Sequence, residues 1–278
     1  MLIVNEQKFK TLEQEFRADG LAKIHILADF DKTLTQAMVN GQEVPSVISI
    51  LRDGRYLTPD YAKKAHALYN KYHPREKDPN LSVAAKKKLM AQWWQAHFAL
   101  LLKSGLNRKD VKRVVQSPQL QLRAGFAALA DFLQTNKIPL VIISSGGLGE
   151  ESISLKLKQA GRLTSNIHII SNAFLWNKDG RAVGVRQPIV HGANKDETLV
   201  RDFPAIFAAV KDRQNVILLG DSLGDIGMAE GFAYDSLLKI ALLAKEDQGG
   251  IDAYKNIYDV LILNDGSLDF VTHFLRKI

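Results

Sequence analysis

Apolar positions along the chain switch between a helical spacing and short unbroken runs. Residues 5–20 repeat at helical spacing and stop at Gly20. Residues 24–28 form a compact run with β-branched members, the pattern of a buried strand. From Gln36 to about Ser117 no convincing core strand returns. Helical spacing covers residues 59–72, 82–104 and 108–116 instead, with Thr58-Pro59 as a start signal and breaks expected at His73-Pro74 and Asp78-Pro79. Beyond 117, helices and strands alternate. Helices are predicted over 124–136, 150–160 and 195–209, the last bending or breaking at Pro204; strands are predicted over 138–144, 167–172, 216–220, 238–243 and 260–263. Asn177-Lys178-Asp179-Gly180 is a hairpin-turn signal. Alternating strands and helices imply βαβ units, a mostly parallel sheet, and ligands bound outside the carboxyl ends of its strands. The block at 36–117 is read as a helical insertion after the first core strand.

Composition narrows this picture. At 278 residues the chain can hold one large α/β domain with a smaller insertion. The absence of cysteine excludes disulfides, thiolate metal sites and cysteine nucleophiles, and it fits a reducing compartment. The first residues lack the apolar core of a signal peptide, and no stretch approaches the roughly 18 apolar residues of a membrane span. A cytoplasmic protein without membrane association is the expectation. The net charge of +7 admits an anionic substrate. Its densest cluster, Lys86-Lys87-Lys88, lies in a helical pattern as a solvated face, and no nucleic-acid motif accompanies it. Binding of polymeric nucleic acid is therefore not expected.

Unusual polar residues gather where strands end. The first strand runs into Asp29 and Asp31, and side chains two apart on an extended segment point the same way. Burying such an acid costs several kcal/mol, roughly, unless a cation or a catalytic role compensates; the alternative is that both merely cap a turn. The second strand runs into Ser144-Ser145-Gly146-Gly147-Leu148-Gly149, whose small residues let backbone N–H groups approach an anion. The fourth runs into Gly220-Asp221-Ser222-Leu223-Gly224-Asp225, another acid pair. Turn capping is a strained reading for four acids together, and oxygen-only ligands suit Mg²⁺. Lys195, just before a predicted helix, would neutralise charge beside them.

In this order, Asp29-Phe30-Asp31-Lys32-Thr33, Ser145, Lys195 and Gly220–Asp225 resemble the four motifs of the haloacid-dehalogenase-like phosphohydrolases. Over nearly its full length the chain resembles the cytosolic pyrimidine 5′-nucleotidase family, type III. The likeness is carried by DFDKTLT, Lys71-Tyr72 with Glu76 and Asp78-Pro79, the helix containing Trp93, SGGLGE, Asn194-Lys195 and LLGDSLGDIGMAEG. It departs at Lys32, often Met in the family, at Glu150 in place of Asp, and at Ser145-Gly146-Gly147, where a small residue such as Ala usually follows the serine.

The resemblance implies an α/β fold: a Rossmann-like parallel core over 1–35 and 118–278, and a helical cap over 36–117. It implies a monomeric Mg²⁺-dependent 5′-nucleotidase that hydrolyses nucleoside 5′-monophosphates, pyrimidine or 7-methylguanosine, through an aspartyl-phosphate. The implied nucleophile is Asp29 and the acid/base Asp31. Asp29, Asp31 through its backbone carbonyl, and Asp221 would hold the metal, with Asp225 behind them. Ser145, Gly146 and Lys195 would bind the phosphoryl group, and Thr33 would support the loop. Glu76 would read the base, and Trp93, Phe98 or Tyr69 could stack on it. The alternatives are a related phosphatase acting on another small phosphomonoester, and a nucleotide- or RNA-binding module without turnover.

Overall fold

A computed structural model describes residues 1–76, 78, 80–195, 203–230, 233–244 and 248–278. Its strands, in chain order, are β1 (Leu2–Ile3), β2 (Ile24–Ala28), β3 (Met38–Val39), β4 (Gln42–Glu43), β5 (Leu140–Ser144), β6 (Ile167–Ser171), β7 (Phe174–Trp176), β8 (Ala182–Val185), β9 (Asn215–Gly220), β10 (Ser236–Leu242) and β11 (Val260–Ile262). Seven of them make one sheet in the order β1-β11-β10-β9-β2-β5-β6. Every neighbouring pair is parallel except β1 with β11. From β2 the chain builds outward through β5 and β6, then returns to the other side of β2 to add β9, β10 and β11. The order therefore reverses between β2 and β9, the place where open α/β sheets bind ligands.

The unbroken apolar runs follow from burial on both faces. Ile24, Ile26 and Ala28 point into one core cluster, with Phe9, Phe16, Phe126 and Phe274 from the helices on that face. Leu27, Val141, Ile143 and Leu218 point into the other, with Val210 and Tyr258. Helix α1 (Glu6–Asp19) starts at Asn5, whose side chain accepts from the Lys8 N–H, and stops at Gly20 with φ +74°.

The block between β4 and residue 117 is helical: α2 (Val47–Asp53), α3 (Tyr61–Glu76), α4 (Val83–Lys103) and α5 (Arg108–Val115). Ser82 caps α4, and Asn107 with Asp110 forms a capping box on α5. The inner ends of these helices join the larger core cluster through Val47, Leu51, Phe98 and Leu101. The outer ends of α3 and α4 hold a separate small cluster of Tyr72, Leu89, Met90 and Trp93. After the block come α6 (Phe126–Thr135) and α7 (Gly149–Gln159), then helices at Pro204–Val210, Gln248–Lys255 and Asp269–Arg276.

The structure departs from the expected elements in places. The break at His73-Pro74 does not occur: α3 runs through Pro74 to Glu76, because a proline in a last turn forfeits only one backbone bond. Pro79 of the other expected break lies outside the described residues. Of the helix expected over 195–209, Lys195 is in a loop and 196–202 lie outside the described residues; the observed helix starts with Pro204 in its first turn, where a missing N–H costs nothing. Helix α2, the edge strand β1 and the β3–β4 hairpin are additional. The hairpin signal at 177–180 does join β7 to β8, and Asn177 Oδ1 accepts from the Asp179 and Arg181 N–H groups.

Candidate active site

Three adjacent strands end close together: Ala28, the last residue of β2, pairs with Leu219 of β9 and Ile142 of β5, which run on by one and two residues to Gly220 and Ser144. Their next residues are Asp29, Asp221 and Ser145, so the register alone brings three of the expected groups to one place. Lys195 reaches them from the loop after β8. That loop is anchored by Asn172, which exchanges two 2.9 Å hydrogen bonds with the backbone of Val190, and by Asn194, which accepts from the His191 N–H at 2.7 Å. Lys195 Nζ lies 2.5 Å from Asp29 Oδ1 and 3.2 Å from Asp225 Oδ1. One carboxylate oxygen each from Asp29, Asp221 and Asp225 fits within 4.8 Å of the others.

The loop Asp221–Asp225 is held from both sides. Asp225 Oδ2 accepts from the N–H groups of Asp221 and Ser222 and from the Ser222 hydroxyl. On the other side, the hydroxyls of Tyr254 and Tyr258 donate to the carbonyls of Asp221 and Ser222, at 2.9 and 2.5 Å. Gly220 leaves room for this packing, since a Cβ there would sit 2.5 Å from Asp225 Cβ. Thr33 is buried behind the site, its hydroxyl 3.5 Å from Asp221 Oδ1.

Burial sets the electrostatics. It pushes the Asp29 carboxyl up to about 7, with Asp225 and Asp31 adding to the rise while Lys195 opposes it. It pushes Asp31 up to about 6 against the pull of a hydrogen bond from the Val47 backbone N–H and of Lys195. Asp221 moves up for the same reason, with Asp225 and Asp29 adding to it. Lys195 is held more firmly protonated by its two carboxylate neighbours, which outweigh its own burial. Three carboxylates against one ammonium leave a surplus of negative charge that a single divalent cation would match, and every donor is an oxygen. These residues fit Mg²⁺.

Above the strand ends lies a cavity of about 750 Å³. Its floor includes Asp29, Asp31, Ser145, Gly146, Lys195, Asp221 and Asp225; its roof is Glu76 at the end of α3 and Lys86, Met90 and Trp94, one face of α4. The Gly146 N–H donates to Ser144 Oγ at 3.1 Å, so it is engaged within its own loop rather than open to the cavity. Gly147 is packed tightly under α2 and α4: a Cβ there would lie 2.7 Å from His97 Nε2 and 2.9 Å from Ile48 Cγ1.

Glu76, expected in a loop, is instead the final residue of α3, where the helix dipole disfavours an acid. Its Oε2 is 3.3 Å from His73 Nδ1, and its Oε1 faces Gly192 at the cavity edge. The three aromatic candidates lie elsewhere. Trp93 stacks on Tyr72 at 5.8 Å, Phe98 packs edge-on against Phe174 at 5.7 Å, and Tyr69 stacks on His73. Trp94, the next residue along α4, lines the cavity, and its indole N–H is buried without a hydrogen-bond partner among the described residues.

The comparisons agree with this geometry. Residues 32–278 match the family model "Pyrimidine 5′-nucleotidase (UMPH-1)". The mouse 7-methylguanosine phosphate-specific 5′-nucleotidase is 32% identical over 263 residues, 94% of this chain and 87% of that protein. The Drosophila melanogaster protein of the same name is 31% identical, over 95% of this chain and 82% of its own. The crystal structure of cytosolic 5′-nucleotidase IIIB bound to cytidine superposes with a TM-score of 0.87 at 27% identity, covering 98% of this chain and 91% of that one. A phospho-aspartyl intermediate analogue of phosphoserine phosphatase shares the fold at a TM-score of 0.53 and 19% identity, over 90% of this chain and 97% of that one. The chain belongs to the pyrimidine 5′-nucleotidase (UMPH-1) family of phosphoric monoester hydrolases.

Proposed function

We propose that the chain is a Mg²⁺-dependent 5′-nucleotidase that hydrolyses nucleoside 5′-monophosphates through an aspartyl-phosphate on Asp29. The observation that carries this reading is the meeting of Asp29, Asp221, Asp225 and Lys195 on the floor of a nucleotide-sized cavity that Asp31 also lines. Asp29, the Asp31 carbonyl and Asp221 would hold Mg²⁺, with Asp225 fixing the loop behind. When bound, the ion neutralises phosphoryl charge and relieves the repulsion among the acids.

In the first step an Asp29 oxygen attacks phosphorus; the Asp29 O–P bond forms as the P–O5′ bond breaks. Asp31 gives its proton to the leaving O5′, a task suited to a carboxyl raised by burial. In the second step Asp31, now a carboxylate, takes a proton from the water that attacks the same phosphorus. Asp29 leaves, and inorganic phosphate and Asp31 in its acid form return. The Lys195 ammonium and the Ser145 hydroxyl bind the non-bridging oxygens as charge develops on them. Gly146 joins them if its N–H turns away from Ser144.

Glu76 and Trp94 support a base subsite in the roof. A carboxylate accepts from an exocyclic amino group such as cytosine's or pairs with the cationic 7-methylguanine, and an indole offers a stacking face. The relatives named for 7-methylguanosine phosphate and the related structure holding cytidine fit these two bases. The size of the cavity, about 750 Å³, supports a mononucleotide as substrate, and no polymeric nucleic acid is proposed as a partner. No helix among the described residues is long and apolar enough to cross a membrane. A cytoplasmic monomer is proposed, in line with a Caenorhabditis elegans relative named a putative cytosolic 5′-nucleotidase.

A phosphate-release screen over nucleoside monophosphates, including CMP and 7-methyl-GMP, tests the reading with Mg²⁺ and with EDTA. The expected result is metal-dependent release from one or both of these. Release only from sugar phosphates or phosphoserine, or equal release in EDTA, contradicts it.

A further inference from the structure

The most completely enclosed charge in the described structure is not at the cavity but behind it. The Arg123 side chain has no exposed surface, yet it lies in the connection between the helical block and α6. Burying a guanidinium is costly unless its donors are met by acceptors, and here they are. Nε donates to the Thr33 carbonyl at 2.6 Å, one Nη to the Lys32 carbonyl, and the other to the Gly266 carbonyl at 3.0 Å and to Asp265 Oδ1 at 2.8 Å. Asp265 is itself fixed, accepting from the Ala37 and Met38 N–H groups at 3.0 and 2.9 Å. The backbone runs alongside: the Arg123 N–H donates to the Leu34 carbonyl and the Gln36 N–H to the Gln121 carbonyl.

The carbonyls that Arg123 grips are those that follow Asp31 directly. They lie in a turn that needs outside support, because Lys32 has φ +61°, the left-handed region that a lysine rarely adopts. Thr33, gripped by its carbonyl, carries the hydroxyl that faces Asp221. One guanidinium thus references the loop after β2 and, through Thr33, the loop after β9. It does so where the segment leading into the helical block meets the segment leading out of it, at a single antiparallel bridge between Thr35 and Leu122.

We propose that Arg123, oriented by Asp265, is a positioning residue for phosphoryl transfer: by holding the Lys32 and Thr33 carbonyls it sets where Asp29 and Asp31 stand relative to the phosphoryl group. This rests on the phosphatase reading above. Arg123 touches neither substrate nor the reacting atoms. Its effect therefore falls on the chemical step, equally for substrates with and without a base.

The test compares full-length wild type, R123A, R123K and D265N on CMP and p-nitrophenyl phosphate with Mg²⁺, with melting temperatures recorded in parallel. R123A should lose about 100-fold in kcat on both substrates, the scale set by a misplacement near 1 Å, with KM nearly unchanged. D265N, which keeps an acceptor in place, should lose about tenfold. R123K should not restore the rate, because an ammonium cannot span divergent carbonyls as a planar fork does. Added guanidinium at millimolar concentration, roughly, should recover part of the R123A rate, an outcome that a purely structural role would not produce. If R123A does not fold, D265N carries the test. A folded R123A or D265N with wild-type kcat, or a loss confined to KM, overturns the proposal. Wild type that hydrolyses neither substrate overturns the phosphatase reading instead, so the two failures are distinguishable.

Discussion

The floor and the roof of the cavity are built by different rules. On the floor, Asp29 and Asp221 are the residues just past the ends of two central strands, Asp225 lies four residues further along the second loop, and each is tied in place: Asp29 to Lys195, Asp225 to two N–H groups and a hydroxyl, and Asp221 to two tyrosines through its loop. The roof is the outer end of a helix pair with its own small core of Tyr72, Leu89, Met90 and Trp93, apart from the main clusters. Glu76 there has one side-chain partner among the described residues, His73, and sits at the helix end that favours cations. On the proposed reading the floor gives up stability to crowded charge so that phosphoryl chemistry can occur there. On the same reading the roof is a lightly held reader of the base, and changes there should leave phosphoryl chemistry intact.

Removing the proposed nucleophile of the floor should have the largest effect. Asp29→Asn keeps the shape and deletes the attacking charge, so kcat on any phosphomonoester should fall at least about 1,000-fold, roughly 4 kcal/mol. Steady-state rates check this, and a tenfold loss or less, roughly, would refute the assignment. Next is the roof's own core: Trp93→Ala should cost about 3 kcal/mol of stability by emptying the stack on Tyr72, while p-nitrophenyl phosphate turnover at a temperature where the variant stays folded is little changed. A denaturant melt with parallel rates decides it, and a large loss of turnover in the folded state would mean that roof and floor are coupled.

A smaller effect separates the two regions by pH and metal. Asp29 and Asp31 have folded-state values raised from 3.8 to about 7 and about 6. The metal-free native state therefore binds more protons than the unfolded chain between these limits, and its stability falls as pH rises through that window. If Mg²⁺ binds these acids as proposed, it compensates their buried charge, so at about 100 times its Kd it should add about 2.7 kcal/mol at pH near 8 and much less near pH 5. Melting temperatures with and without Mg²⁺ at the two pH values test this; an equal gain at both would place the cation away from these acids. The smallest effect is at the proposed reader: Glu76→Gln should raise KM for a preferred nucleotide about tenfold, near 1.4 kcal/mol, and leave p-nitrophenyl phosphate unaffected. An unchanged KM ratio would remove Glu76 from base recognition.

Which parts were legible in the sequence follows the same division. A strand buried on both faces shows as an unbroken apolar run, and a polar residue ending such a run is conspicuous. Asp29, Ser145 and Asp221 could therefore be placed from sequence, and the sheet carries them to one point. Helix α4 offered no such contrast. It is apolar over much of its circumference, Trp93 and Trp94 are adjacent, and only the packing of α3 decides that the first is core and the second lines the cavity. Pro74 suggested a break that one lost hydrogen bond in a last turn does not enforce. Arg123, Tyr254 and Tyr258 were invisible because their partners are backbone carbonyls far away in sequence, and no periodicity encodes such a contact. The strand β1 was missed because two residues are too few to show alternation.

The most direct test is to catch the covalent intermediate. Enzyme mixed with saturating nucleotide and Mg²⁺, quenched in acid within one turnover and digested, should yield one peptide bearing a phosphoryl group. That peptide should contain Asp29, the group should sit on Asp29, and hydroxylamine should remove it. A turnover-competent enzyme that shows no such adduct, or carries the phosphoryl group on Ser145 or another residue, would contradict the assignment of Asp29 as nucleophile.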